Sequence, residues 1–377
     1  MKKTVLIPDS FKGTLSSEQI CSILNERIIE HFPDCEVISI PVADGGEGSV
    51  DAFLSALGGE KVFTAAKGPR FEDRTSFYGL TDGGNTAIVE MAAAAGLPLV
   101  GDDKDPSVTT TYGVGELLLA AAKQGAAKIV VGLGGSATND GGCGAAAACG
   151  ALFYNKEGKT FIPVGKTLTE IHSIDISRLK ETFSKTEIIT MCDIDNPMYG
   201  ENGAAYIFGP QKGADKEMVK MLDAGLIHLA EIIKRDLGLD IKNLPGAGAA
   251  GAMGAGMVAF FSSKLQMGIE TVLDTVSFEE VIKGADVVFT GEGKIDSQSL
   301  RGKVVIGVAR RAKKQGIPVI AIVGGADYDI EPAYAEGVTA IFPTSRLPQD
   351  FSILKEHSAK NLSFTANNIL KLISSII

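Results

Sequence analysis

Residues 128 to 148 read KIVVGLGGSATNDGGCGAAAA. The β-branched run Ile129, Val130 and Val131 gives way to five glycines within eleven positions, 132 to 142, and then to an alanine-rich segment of good helix propensity. That order predicts strand, loop, helix. Glycines let such a loop turn tightly and let its backbone N–H groups approach a ligand, while the start of the helix offers unpaired donors and a partial positive charge. Glycines alone would also fit two elements that simply pack closely. The polar set Ser136, Thr138, Asn139 and Asp140, however, is richer than one turn and one helix cap require. The loop is therefore expected to bind a ligand, an anion and by preference a phosphate.

The same alternation recurs at both ends of the chain. Val5-Leu6-Ile7 reads as a short buried strand, and Ser16 or Ser17 can cap a helix carrying Ile20, Ile23, Leu24, Ile28 and Ile29 at helical spacing. Val37 to Val42 reads as a second strand, followed by ADGGEGS and another helix. Asp9 and Asp44 thus fall at the carboxyl ends of strands, where ligands of open parallel sheets sit. From Val62 to Met91 the runs shorten and turn signals such as Asp82-Gly83-Gly84 predict antiparallel hairpins. Beyond residue 280, the strands Asp286 to Thr290 and Val319 to Val323, the helix Val304 to Lys314 and a C-terminal amphipathic helix restore strand-loop-helix order. The expected organisation is one α/β domain, residues 1–61 plus 281–377, interrupted by an inserted mixed α/β domain with antiparallel hairpins, residues 62–280. Within the insert, Lys216 to Leu237 reads as a helix, LPGAGAAGAMGAGMVAFF as a close-packing glycine-alanine helix, and Cys192 to Ala214 as a long irregular segment of the kind that is usually functional.

Bulk properties narrow the function. At 377 residues, two domains are the first expectation. A net charge of -10 disfavours nucleic acid and anionic membranes as partners, although helix ends and a few lysines can still hold a small anion. The five cysteines are scattered without a C-x-x-C pair, which suggests a reducing compartment and neither a disulfide framework nor a zinc site. The first apolar run stops at Pro8, too short for a signal-peptide core, and no run approaches a membrane span. Cytoplasm is the expected location.

No Walker A loop is present, so an ordinary P-loop ATPase is excluded. Gly132 to Ala137 matches G-x-G-x-x-A after a suitable strand, with Glu157 downstream, which keeps an NAD-dependent oxidoreductase open as an alternative. Three acidic clusters follow predicted strands: Asp9 with Ser10 and Lys12, Asp193 with Asp195 and Asn196, and Glu292 and Asp296 flanking Lys294. Carboxylates so placed suit a base for a substrate hydroxyl or a magnesium ligand. Lys12, Lys212, Lys294 and Lys303 all lie in glycine- or serine-rich loops, where a cation can reach phosphate oxygens, although each alone also reads as a surface residue. The four scattered histidines give no reason to expect a Ser-His-Asp triad. The combination fits phosphoryl transfer, in which a protein mainly positions reactants and neutralises charge.

Seven segments in order, PDSFKGTLS (8–16), PVADGGEG (41–48), GLGGSATNDGG (132–142), CDIDNP (192–197), FGPQKGA (208–214), PGAGAAG (245–251) and TGEGKIDSQS (290–299), resemble the type I glycerate kinases. The resemblance implies magnesium- and ATP-dependent phosphorylation of D-glycerate. It also implies a flavodoxin-like parallel α/β domain built from both chain ends, a second domain of a fold compared to restriction enzymes, and an active site in the cleft between them. Bacterial members of this type are mostly 2-kinases giving 2-phosphoglycerate, with 3-phosphoglycerate the alternative product. On this resemblance Asp193 is expected to be the catalytic carboxylate, with Asp195 secondary and Lys12 assisting. Gly134, Gly135, Ser136, Thr138, Asn139 and Asp140 are expected to hold nucleotide phosphates, and Ser10, Asp44, Gly45, Gly46, Lys294, Asp296 and Lys303 to hold substrate. No residue is assigned to the metal. Relatives often carry arginine where Lys294 stands, so charge is kept here but a two-pronged grip is not.

Overall fold

The computed structural model describes residues 1–42, 45–347 and 350–376. The chain forms two compact units, one comprising Met1–Asp44, Ser55–Leu57 and Met267–Ile377, the other Gly45–Leu54 and Gly58–Gln266. In chain order, the strands of the two larger sheets are β1 (Lys3–Pro8), β2 (Glu36–Ser39), β3 (Glu60–Lys67), β4 (Asp73–Thr81), β5 (Thr86–Glu90), β6 (Lys128–Gly132), β7 (Glu187–Met191), β8 (Lys264–Gln266), β9 (Val287–Gly291), β10 (Val319–Val323) and β11 (Val338–Pro343).

The unit built from the chain ends carries the parallel sheet β2-β1-β9-β10-β11. Numbered within the unit this is 2-1-3-4-5, the flavodoxin-like order, whose ligand edge is the switch point between its first and third strands. Here those strands are β1 and β9, paired up to Pro8 and Gly291. Their sequences are continuous apolar runs because helices cover both faces of a parallel sheet. The helix Ser17–His31 starts at a capping box between Ser16 and Gln19, and its Leu24 and Ile28 join Leu6, Phe289, Leu362 and Ile369 in one core. His31 meets Asn367 of the helix Phe351–Ile376 at 2.8 Å, a packing role.

The second unit carries the mixed sheet β8-β7-β6-β5-β4-β3, parallel from β5 to β8 and antiparallel through β3, β4 and β5. The hairpins read from the 62–91 stretch are these three strands. Helices Tyr112–Lys123, Lys216–Leu237 and Ala249–Phe261 contribute Leu117, Leu226 and Phe260 to its core, against Ile129, Val131 and Ile188 of the sheet.

Several expectations shift. The units do not divide at 61/62 and 280/281: helix Gly268–Thr275 belongs to the end-built unit. There Arg311 gathers the carboxylates of Glu270, Asp274 and Glu279 with contacts of 2.6, 2.5 and 3.1 Å. Most of helix Ser49–Leu57, by contrast, belongs to the inserted unit. There Val50 N–H donates to the buried Glu90 carboxylate at 2.6 Å. The 245–261 stretch is not one helix either, since Ala250, Gly251 and Ala252 take left-handed backbone angles. Short helical turns, Ala204–Phe208 and Pro210–Lys212, interrupt the segment expected to be irregular.

Candidate active-site clusters

In the inserted unit the three glycine-rich stretches of the sequence stack on one another at the carboxyl end of β6. Gly134 N–H donates to the Gly45 carbonyl at 2.8 Å, and Gly141 N–H to the Gly251 carbonyl at 3.1 Å. A Cβ on Gly134 would collide with the Gly46 backbone, and one on Gly251 with the Thr138 carbonyl. Much of the glycine thus serves backbone-to-backbone packing. Gly45 and Gly46 form the wall against which the loop rests, while Asp44 lies outside the described residues. The loop's exposed point is Gly135, at φ +76°, followed by the largely buried Ser136.

Beneath that point lies a polar framework. Asp140 is fully buried. Its Oδ2 accepts from Thr111 N–H at 2.8 Å, Thr111 Oγ1–H at 2.9 Å and Gly144 N–H at 3.2 Å, and its Oδ1 accepts from Gly142 N–H at 3.1 Å. Burial pushes this carboxyl above its ordinary range, and those four hydrogen bonds oppose the shift. Its acceptor positions are taken up by the protein, so the geometry makes Asp140 an anchor of the loop instead of the phosphate ligand expected from sequence. An anionic side chain would in any case repel a phosphate.

Lys212, one of the four loop lysines that could reach phosphate oxygens, is 2% exposed. Its Nζ donates to Ser136 Oγ at 2.7 Å and to the Thr138 carbonyl at 2.7 Å. Burial pulls its pKa from 10.5 down to about 7, with Asp140 acting in the opposite direction. Gly213 beside it is left-handed at φ +98° and packed on the Lys104 backbone. Thr138 Oγ1 and both polar atoms of the Asn139 side chain are buried without a partner among the described residues. Such atoms normally find water or a ligand.

The segment after β7 is braced by the Gly246–Gly248 turn. Gly248 N–H donates to the Asn196 carbonyl at 3.0 Å, and a Cβ on Gly246 would press on the Cys192 sulfur. Asp193 and Asp195 are exposed on this braced segment.

In the end-built unit, Asp9, Ser10 and Lys12 leave β1 and Glu292 leaves β9, so both clusters flank the switch point. Ser10 N–H donates to Asp9 Oδ1 at 2.7 Å. Glu292, absent from the residues expected to bind, is 6% exposed, and its Oε1 has no protein partner. Burial raises its pKa to about 7, with the Ser299 hydroxyl opposing and Asp9 adding to the rise. Lys294 is exposed and pairs with Asp327 at 3.1 Å. Lys303 Nζ donates to Gln298 Oε1 at 3.2 Å. Asp296 Oδ1 accepts from Gln298 N–H at 2.8 Å, closing a turn.

One unit has a flavodoxin-ordered sheet with acids and lysines at its switch point, and the other a glycine loop over a buried lysine, within a two-unit α/β fold. The glycerate kinase family model matches residues 4–374, and the chain belongs to that family, whose class is the ATP-dependent kinase with an alcohol acceptor. The chain is 46% identical to the glycerate 2-kinase of Escherichia coli K12 over 341 residues, 90% of each chain. It is 43% identical to a glycerate kinase of Bacillus cereus over 368 residues, 97% of each. A crystal structure of a protein assigned as glycerate kinase 2 from Salmonella typhimurium LT2 superposes with a TM-score of 0.87 at 40% identity, covering 99% of this chain and 98% of that one.

Proposed function

We propose that the protein transfers the γ-phosphoryl group of ATP to the C2 hydroxyl of D-glycerate, giving 2-phosphoglycerate and ADP, with magnesium. The observation that carries the reading is the loop after β6. Its Thr138 and Asn139 side chains hold three buried polar atoms without partners among the described residues, in a chain whose relatives include a protein named glycerate 2-kinase.

In this reading Gly135 and Ser136 contact the nucleotide phosphates from the stretch Gly134 to Asp140, and Lys12 supplies a further cation. Asp193 accepts the proton of the attacking hydroxyl or orients that hydroxyl, a loose phosphoryl transfer needing little early deprotonation. Ser10, Lys294 and Lys303 serve the glycerate carboxylate and hydroxyls. Among the described residues no group of three or more His, Cys, Asp or Glu side chains could hold a metal. Magnesium in phosphoryl transfer is commonly held by phosphates with one or two carboxylates. The exposed pair Asp193 and Asp195 fits that demand. The ion would neutralise charge on the transferring group.

A coupled ADP-release assay over a panel of small hydroxy acids, with the phosphorylated carbon identified by NMR, tests the reading. ATP-dependent turnover of D-glycerate with phosphorus on C2 is expected. Phosphorus on C3 would correct the regiochemistry, and no ADP release with glycerate would overturn the function.

A further inference from the structure

We propose that Lys212 is a positioning residue for the nucleotide phosphates, acting from beneath the glycine loop by making Ser136 a hydrogen-bond donor and by placing a cation behind the loop's exposed point. The inference rests on the reading that this loop holds phosphates, and it assigns that task to a residue which need not touch the nucleotide.

Hydrogen-bond chemistry carries the first step. In its ammonium form Lys212 can only donate, so the 2.7 Å contact then uses Ser136 Oγ as an acceptor. The serine's own proton is then left to point elsewhere, and an anion beside Gly135 and Ser136 would receive it. The second contact, to the Thr138 carbonyl at 2.7 Å, fixes the same loop two residues on. One side chain therefore sets both the direction of a donor and the path of the backbone.

Burial carries the second. A fully buried lysine is rare unless its charge is matched, because removing an ammonium from water is costly. Asp140 lies within electrostatic reach, but its oxygens are occupied by Thr111, Gly142 and Gly144. From the segment packed on Gly213, the exposed Lys104 contributes its backbone, and Asp105 Oδ1 accepts from Ser107 N–H and Oγ–H at 2.9 and 2.6 Å. The charge match is thus partial, and an arriving phosphate completes it. Since burial holds the amine near neutrality's edge and an anion favours the ammonium, nucleotide binding near neutral pH takes up a proton at Lys212.

The test is titration calorimetry of magnesium AMP-PNP into the full-length protein at pH 7.5 in buffers of different ionisation enthalpy. It is run on wild type, Lys212→Met, Lys212→Arg and the double variant Ser136→Ala with Lys212→Met, with melting curves alongside. Wild type is expected to take up roughly half a proton more than Lys212→Met, and Lys212→Met to bind about ten- to a hundredfold more weakly. KM for ATP should rise in that variant with KM for glycerate unchanged. Lys212→Arg, permanently charged, should lose the proton uptake even if Lys212→Met fails to fold. Ser136→Ala combined with Lys212→Met should weaken binding no further than Lys212→Met alone. A folded Lys212→Met variant binding within twofold of wild type, or unchanged proton uptake in Lys212→Arg, overturns the proposal. Absence of any AMP-PNP binding by wild type instead overturns the phosphate reading of the loop.

Discussion

The Asp140 carboxylate and the Thr111 hydroxyl meet at 2.9 Å in the interior of the inserted unit, and the same carboxylate accepts from Thr111 N–H at the start of helix Tyr112–Lys123 and from Gly144 N–H in helix Cys143–Ala148. One side chain thereby joins two helix starts to the glycine loop. Because every partner is a donor, an amide in its place would turn an NH2 group toward an N–H or O–H. Asp140→Asn is expected to destabilise the unit by about 2–4 kcal/mol, the cost of a buried, mismatched hydrogen-bond set. Thr111→Val, which leaves the carboxylate its backbone donors, should cost about 1–2 kcal/mol. Urea denaturation followed by circular dichroism gives both numbers, and an Asp140→Asn variant as stable as wild type would contradict the anchoring role.

Asp193 makes the opposite prediction. It is exposed, so Asp193→Asn should leave stability within about 0.5 kcal/mol of wild type. Turnover should fall by roughly 10² to 10⁴ if the carboxylate takes the hydroxyl proton. Asp195→Asn should have the smaller effect. Near wild-type turnover of a folded Asp193→Asn protein, measured by ADP release, would remove it from the mechanism.

The elements were legible where local rules decide them. Of the two caps open to the first helix, Ser16 is the one used, and the apolar runs of β1, β6 and β10 announce buried strands. The glycine stretches at 45–46 and 132–142 are legible as loops and that at 245–251 reads as helix, but their stacking depends on which carbonyl each lost Cβ makes room for, a property of the folded chain. Lys212 shows why the site was half-read. The same letter, in the same kind of loop as Lys294, is buried against Ser136 and Thr138 of a loop distant in sequence, whereas Lys294 is exposed and pairs with Asp327. Asp140 was misassigned for a related reason: helix-start amides that could bind a phosphate were already satisfied from within. Glu292 stands in the sequence only as one member of an acidic cluster, because burial, and not its neighbours in sequence, makes it unusual.

Gly251 tests the stacking. A Cβ added there would collide with the Thr138 carbonyl, and the left-handed backbone at φ +66° adds strain for any side chain. Gly251→Ala must displace that carbonyl, which accepts one of the two Lys212 hydrogen bonds. A loss of about 1–3 kcal/mol in stability is expected, together with a raised KM for ATP and little change in KM for glycerate. Unchanged kinetics in the variant would show that the loop tolerates movement at Thr138.

Glu292 gives the pH dependence. Its pKa rises from 4.5 to about 7 on folding, chiefly through burial. The folded protein therefore holds a proton that the unfolded chain releases between those values. That stabilisation is complete below the unfolded pKa and is lost as pH rises through the folded one, a swing on the order of 3 kcal/mol. Glu292→Gln cannot titrate, so the stability difference between pH 5 and pH 8 should shrink by about 2–3 kcal/mol relative to wild type. Comparing the two proteins cancels groups they share, and urea denaturation at both pH values is the measurement. If the two differences coincide, the carboxyl is ionised throughout, and a partner for its buried Oε1 must be present in solution.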